Sequence, residues 1–165
     1  MGEVRQGIVR KQKLARAVLF AVSETGRGMP PQSPHPGAHV APLHVLIADD
    51  HVDTRVVLKH YLEAYGFDVC EAVDGADALQ MMRTEHPDAV ILDVQMPRMD
   101  GMAVLRAMRA DEELHDMPVL MLSGDAQCSD AKEATDAGAN ECLSKPAHPR
   151  AVFEAVRFLT RVREL

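Results

Sequence analysis

Nowhere in its 165 residues does the sequence hold the run of roughly eighteen apolar residues that a membrane-crossing helix needs, so no span is expected. Cysteine is scarce: Cys70, Cys128 and Cys142 are odd in number and show no CxxC spacing. That fits a reducing cytoplasm better than a disulfide framework, and all three read as ordinary buried or half-buried small residues. Basic charge is in deficit, with 18 Lys/Arg against 25 Asp/Glu and a net charge of −7. The deficit is uneven. Residues 1–42 hold six Lys/Arg against two acids, whereas residues 43–165 hold twelve against twenty-three, so a tail of +4 precedes a body of −11. An acidic body argues against nonspecific nucleic-acid binding and suits divalent cations or basic partners, with plain solubility as the blander reading.

The tail lacks the means to build a core. Ala17 to Val22, behind Arg10, Lys11, Lys13 and Arg16, has the outline of a short signal peptide, but the apolar run is six residues and Arg16 abuts it. A basic amphipathic helix and an upstream extension of the reading frame are the other two readings. Pro30, Pro31, Pro34, Pro36 and Pro42, with almost no large apolar group among them, imply an extended linker. His35, His39 and His44 have no cysteine or carboxylate interleaved, so they read as solvated histidines rather than metal ligands. The division expected is a basic then proline-rich extension over 1–42 and one folded domain over 43–165, a length that buries a single core.

From Leu43 onward the pattern is regular. Apolar runs at 43–48, 89–93 and 117–123, and the shorter mixed segments 67–72 and 141–144, read as strands. Helical spacing between and after them predicts helices beginning near Asp53 as N-cap, Asp74-Gly75, Met102, Ser129 and Arg150. The first of these carries Val56, Val57, Leu58, Tyr61, Leu62 and Tyr65 and stops at Gly66; the last carries Val152, Phe153, Val156 and Leu159. Its closing Arg161 and Arg163 complement the helix dipole. Five strands alternating with five helices, with near-continuous apolar strands in the middle, predict a doubly wound α/β domain whose parallel sheet is covered on both faces by right-handed crossovers.

In such sheets ligands sit beyond the carboxyl ends of the strands, at the point where strand order reverses. Those ends carry Asp49 and Asp50, Asp93, Ser123 and Lys145. Three carboxylates at one rim repel unless a cation joins them. Magnesium takes oxygen ligands and favours a carboxylate cluster beside a phosphate, so Asp49, Asp50 and Asp93 are the candidate ligands, with the backbone carbonyl of Gln95 beside them. Manganese is the other ion considered. A carboxylate can also attack phosphorus to give an acyl phosphate, and Asp93, on the central strand with donors on both sides, is the candidate nucleophile. Lys145 and Ser123 are placed to hold the phosphoryl oxygens. Taken singly, each residue has a commonplace explanation as a strand-end polar group; the five together carry the reading.

These residues resemble the receiver domain of two-component response regulators. The resemblance covers about residues 43–165 and rests on Asp49-Asp50, on Leu92-Asp93 followed by Met96-Pro97 and Met99-Asp100-Gly101, on Ser123-Gly124, and on Gly138-Ala139 leading to Lys145-Pro146. Intervals of 43, 30 and 22 residues separate Asp50, Asp93, Ser123 and Lys145. The resemblance implies a flavodoxin-like five-stranded sheet of order 2-1-3-4-5 and a cis bond before Pro146 that aims Lys145 inward. It implies magnesium-dependent transfer of a phosphoryl group to Asp93 from a sensor histidine kinase or histidine phosphotransfer protein, followed by hydrolysis. It further implies a switch region at Ser123, and Gln95 and Asp125 as the positions that tune phosphoryl lifetime. Cys142 stands where receivers often have an aromatic switch residue, so an aromatic readout cannot operate there. The expected conformational change lies over 123–138, with less at Cys142. With only one helix after Lys145-Pro146, the resemblance is to a single-domain regulator acting through an unidentified protein partner or as a phosphoryl carrier, with no direct DNA binding.

Two other classes compete. An aspartate-nucleophile phosphohydrolase of haloacid-dehalogenase type also uses Asp, a hydroxyl, Lys and magnesium, but its second acid in DxD is Gln95 here, and an amide exchanges no proton at neutral pH. A degenerate receiver serving as a binding scaffold is opposed by the complete set of five polar residues. The expectation is therefore a phosphoacceptor module that turns over nothing except its own phosphoryl group.

Overall fold

A computed structural model of the chain describes residues 42–124 and 129–162. The strands are β1 His44–Ala48, β2 Asp68–Ala72, β3 Ala89–Asp93, β4 Val119–Ser123 and β5 Glu141–Ser144. The helices are α1 Val52–Ala64, α2 Gly75–Glu85, α3 Gly101–Ala110, α4 Ser129–Asp136 and α5 Pro149–Val162. All pairings are parallel and the order is β2-β1-β3-β4-β5, the flavodoxin-like arrangement, with β2 and β5 at the edges. The proline-rich segment from Pro30 to Pro36, His35, His39, Cys128, Asp125 and Arg163 lie outside the described residues.

The period of two along each strand divides the core in two. Leu46, Ala48, Val90, Leu92, Val119 and Met121 face α2, α3 and α4. Val45, Ile47, Ala89, Ile91, Leu120 and Leu122 face α1 and α5, where Leu58, Leu62, Val152, Phe153 and Val156 close over them. Both faces of β3 and β4 are therefore buried, which is why these strands read as unbroken apolar runs rather than alternating ones.

Helix starts follow their capping residues. Asp74 caps α2 by accepting from the N–H groups of Ala76 and Asp77 at 2.8 and 3.0 Å, and Asp100 caps α3 by accepting from Ala103 at 2.7 Å. Asp53 does not cap α1. The helix begins two residues earlier than that cap implies, with His51 in the cap position, and Asp53 falls in the first turn, where it complements the helix dipole instead. The expected inner face of α1 is also narrower than its apolar content implies. Leu58 and Leu62 are buried, whereas Val52, Val56 and Val57 are 57, 56 and 52% exposed. At 3.6 residues per turn, a stripe centred on Leu58 and Leu62 turns Val56 and Val57 away from the sheet.

The N–H bonds from Asp77 and Ala76 hold the Asp74 carboxyl below the ordinary carboxylate value against the opposing effect of burial, and Arg98 adds to this through an ion pair. A carboxyl lowered in the folded state stabilises above the unfolded value, and that contribution is lost as pH falls through the folded one. Asp74→Ala should thus be less stable than wild type in urea at neutral pH, with the gap narrowing below the ordinary carboxylate range. A gap that stays constant with pH would contradict this.

Candidate functional site

The carboxyl ends of β1, β3, β4 and β5 meet at one rim. β1 runs out at Ala48, so Asp49 leaves the strand with its N–H on Ala72 O at 3.3 Å and its side chain 1% exposed. Asp93 is the last residue of β3, its side chain 2% exposed. Lys145 follows β5, and the Lys145–Pro146 peptide bond is cis. Its Nζ lies 2.8 Å from Asp49 Oδ2 and 2.7 Å from Asp93 Oδ2, one cation shared by two buried carboxylates. The contact with Asp93 Oδ2 is an ion pair of poor hydrogen-bond geometry, so this buried oxygen is left without a hydrogen bond. Asp93 Oδ1 accepts from Gln95 N–H at 3.2 Å, and Asp49 Oδ1 from His51 N–H at 2.8 Å.

Burial pushes the Asp93 carboxyl above its ordinary value; Lys145 and the Gln95 N–H pull it back, and the Asp49 charge adds to the rise. For Lys145, burial works against the ammonium, but the carboxylates of Asp49 and Asp93 outweigh it and the pKa is raised. The lysine is therefore a fixed positive charge at neutral pH.

Asp50 projects beside this pair, partly exposed, with His51 Nδ1 at 2.9 Å from its Oδ1. Ligand atoms of Asp49, Asp50, His51 and Asp93 all lie within 4.8 Å of one another. Three carboxylates this close, one with a buried oxygen lacking a hydrogen bond, fit a hard divalent cation. Ser123 is buried at the end of β4, paired in register with Ser144 and one residue past the partner of Asp93, and its carbonyl accepts from Lys145 N–H at 2.7 Å. Gln95 sits in the loop after β3, its side-chain oxygen against Gly124 on the loop after β4. Cys142 lies further off, half-buried within β5 opposite Met121 and packed on the α2–α4 face. Asp125 is outside the described residues.

Two groups at the rim are absent from the sequence reading. His51 adds an imidazole next to the acid pair, signalled only by its adjacency. Arg55, one helical turn later, donates from Nη1 to the Asp49 carbonyl at 2.7 Å. An open groove of about 560 Å³ also reaches Lys145, lined by Thr54, Val57, Leu58, Pro146 and Pro149 between α1 and the start of α5.

A family model described as the response regulator receiver domain matches residues 45–157. Among curated proteins, the chain is 41% identical over 104 residues to the sensor protein EvgS of Escherichia coli, covering 63% of this chain and 8% of that protein. It is 39% identical over 121 residues to the transcriptional regulatory protein PrrA of Mycobacterium tuberculosis, covering 73% of this chain and 48% of that one. It thus spans half or less of the length of these two relatives. Among solved structures, the chemotaxis response regulator CheY4 of Vibrio cholerae superposes with a TM-score of 0.67 at 30% identity, covering 72% of this chain and 98% of that one.

Proposed function

Because the chain belongs to the family of response regulator receiver domains, we propose that Asp93 accepts a phosphoryl group from a phosphohistidine on a sensor kinase or phosphotransfer protein. The single observation that supports this most is Lys145, whose ammonium spans Asp49 and Asp93 at 2.8 and 2.7 Å at the mouth of an acid cluster. In the transfer, an Asp93 oxygen forms the new bond to phosphorus. The P–N bond of the donor breaks, and its imidazole leaves with that electron pair. Lys145 then moves its charge from carboxylate to phosphoryl oxygen, and the Ser123 hydroxyl donates to the same group. Asp49, Asp50, Asp93 and the Gln95 carbonyl would hold magnesium, which when bound neutralises the charge gathering on the phosphoryl oxygens.

The module is proposed to signal rather than to turn over substrate, since Gln95, at the place of the second acid in DxD, cannot serve as a general acid at neutral pH. The aspartyl phosphate would alter the region from Ser123 to Gly138 and so the affinity for a downstream protein. The three exposed valines of α1, next to a groove that reaches Lys145, supply an apolar face to a protein donor. Incubation with acetyl phosphate and magnesium, followed by mass spectrometry, tests the reading. Wild type should gain one acid-stable, base-labile phosphoryl group and Asp93→Ala none; absence of incorporation in wild type, or equal incorporation in both, would refute it.

A further inference from the structure

Arg55 has an environment unlike that of a solvated helix residue. Its side chain is 11% exposed, where arginine is mostly found in solvent. Nη1 donates to the main-chain oxygen of Asp49 at 2.7 Å. Nε faces Glu71 Oε1 on β2 at 3.4 Å, an ion pair without a hydrogen bond. The other Glu71 oxygen accepts from Lys59 Nζ at 2.9 Å, one turn along α1. Glu71 pairs in register with Ile47, two residues before Asp49. A brace thus runs from α1 to the end of β1 and across to β2, passing behind the acid pair.

The oxygen that Arg55 holds belongs to the peptide joining Asp49 to Asp50. Asp49 has other anchors, namely its N–H on Ala72 O and its carboxylate on the His51 N–H and Lys145. Asp50 is partly exposed, its carboxylate touching a largely exposed imidazole, so its direction depends on the plane of that peptide. We infer that Arg55 is a positioning residue for the acid pair, setting divalent-cation affinity by fixing the Asp49–Asp50 peptide. This rests on the reading of the acid pair as a magnesium site.

Charge and geometry act here with opposite signs. A guanidinium behind three carboxylates repels a divalent cation, so deleting its charge alone tightens binding. Loss of the brace weakens it. Lysine keeps the charge but has a single ammonium in place of the planar fork, and cannot donate to the Asp49 carbonyl while keeping a second nitrogen beside Glu71. Arg55→Lys therefore isolates the geometry, and Arg55→Met sets it against the charge.

The test is titration of the full chain with magnesium by calorimetry, for wild type, Arg55→Lys and Arg55→Met, below the onset of each variant's thermal transition. Arg55→Lys should bind magnesium about tenfold more weakly, the size of effect seen when outer partners of metal ligands are removed, and Arg55→Met more weakly than wild type by a smaller factor, because loss of the charge offsets part of the loss of the brace. A purely structural role would lower the unfolding midpoint and leave the affinity of the folded protein unchanged, which would overturn the inference. Tighter binding by Arg55→Met beside unchanged binding by Arg55→Lys would overturn it too, leaving charge as the only contribution. If wild type itself binds no magnesium, the metal reading fails and the inference with it.

Discussion

Replacing Lys145 by methionine is expected to slow phosphoryl incorporation from acetyl phosphate about a hundred- to a thousandfold, the usual consequence of deleting one donor aimed at developing negative charge. Methionine preserves the length and apolar stem of the side chain, so the effect isolates the ammonium. That ammonium lies 2.8 and 2.7 Å from two buried carboxylates. Without it, Asp49 and Asp93 have no shared cation, and the Asp93 carboxyl, already raised by burial, rises further as the counter-charge is lost. Magnesium affinity should move the other way and increase, because a competing cation has left the cluster. Rapid-quench measurement of the phosphorylated fraction, with magnesium binding measured in parallel, separates the two signs. Slower transfer with tighter binding supports the assignment. Unchanged transfer would remove Lys145 from the phosphoryl site.

The second large effect is structural. Gly101 opens α3 with its N–H on Val94 O at 2.9 Å, and a Cβ built on it would overlap the main-chain oxygen of Asp93. Every atom in its way is backbone, so no flexible side chain can yield. Gly101→Ala should cost roughly 3 kcal/mol of stability, at the upper end for overpacking. Gly66 is the control: its φ of +88° strains alanine, yet nothing lies within 4 Å of a Cβ there, and about 1 kcal/mol is expected. Urea unfolding of both variants checks the contrast. The folded fraction of Gly101→Ala should also accept phosphate more slowly, because the main chain that aims Asp93 has been displaced.

The central strands could be read from the sequence because unbroken apolar runs ending in a polar group have few alternatives in a chain of this length, whereas the strand order came from the resemblance to receiver domains. β3 and β5 have the boundaries expected of them, Ala89–Asp93 and Glu141–Ser144. The rim residues were visible for the same reason: a strand end is a position that a sequence marks. Arg55 was not visible, because helical periodicity assigns a charged residue on an amphipathic helix to solvent, and only the register of Glu71 beside β1 reveals a partner for it. Val56 and Val57 misled in the opposite sense. Apolar content along α1 does not say which third of the helix the sheet can cover, and the angular position of Leu58 and Leu62 decides it. Asp53 is a good capping residue two positions too late, since the chain already turns helical after His51.

The sheet also has two edges, β2 and β5, each no longer than five residues. Asp68 and Glu71 lie on one and Glu141 on the other. A strand from a second molecule seeking to extend the sheet would have to lay its backbone beside these acids, over a stretch too short to repay their desolvation. Edge-to-edge growth is thereby discouraged, so the sheet is a poor template for its own aggregation.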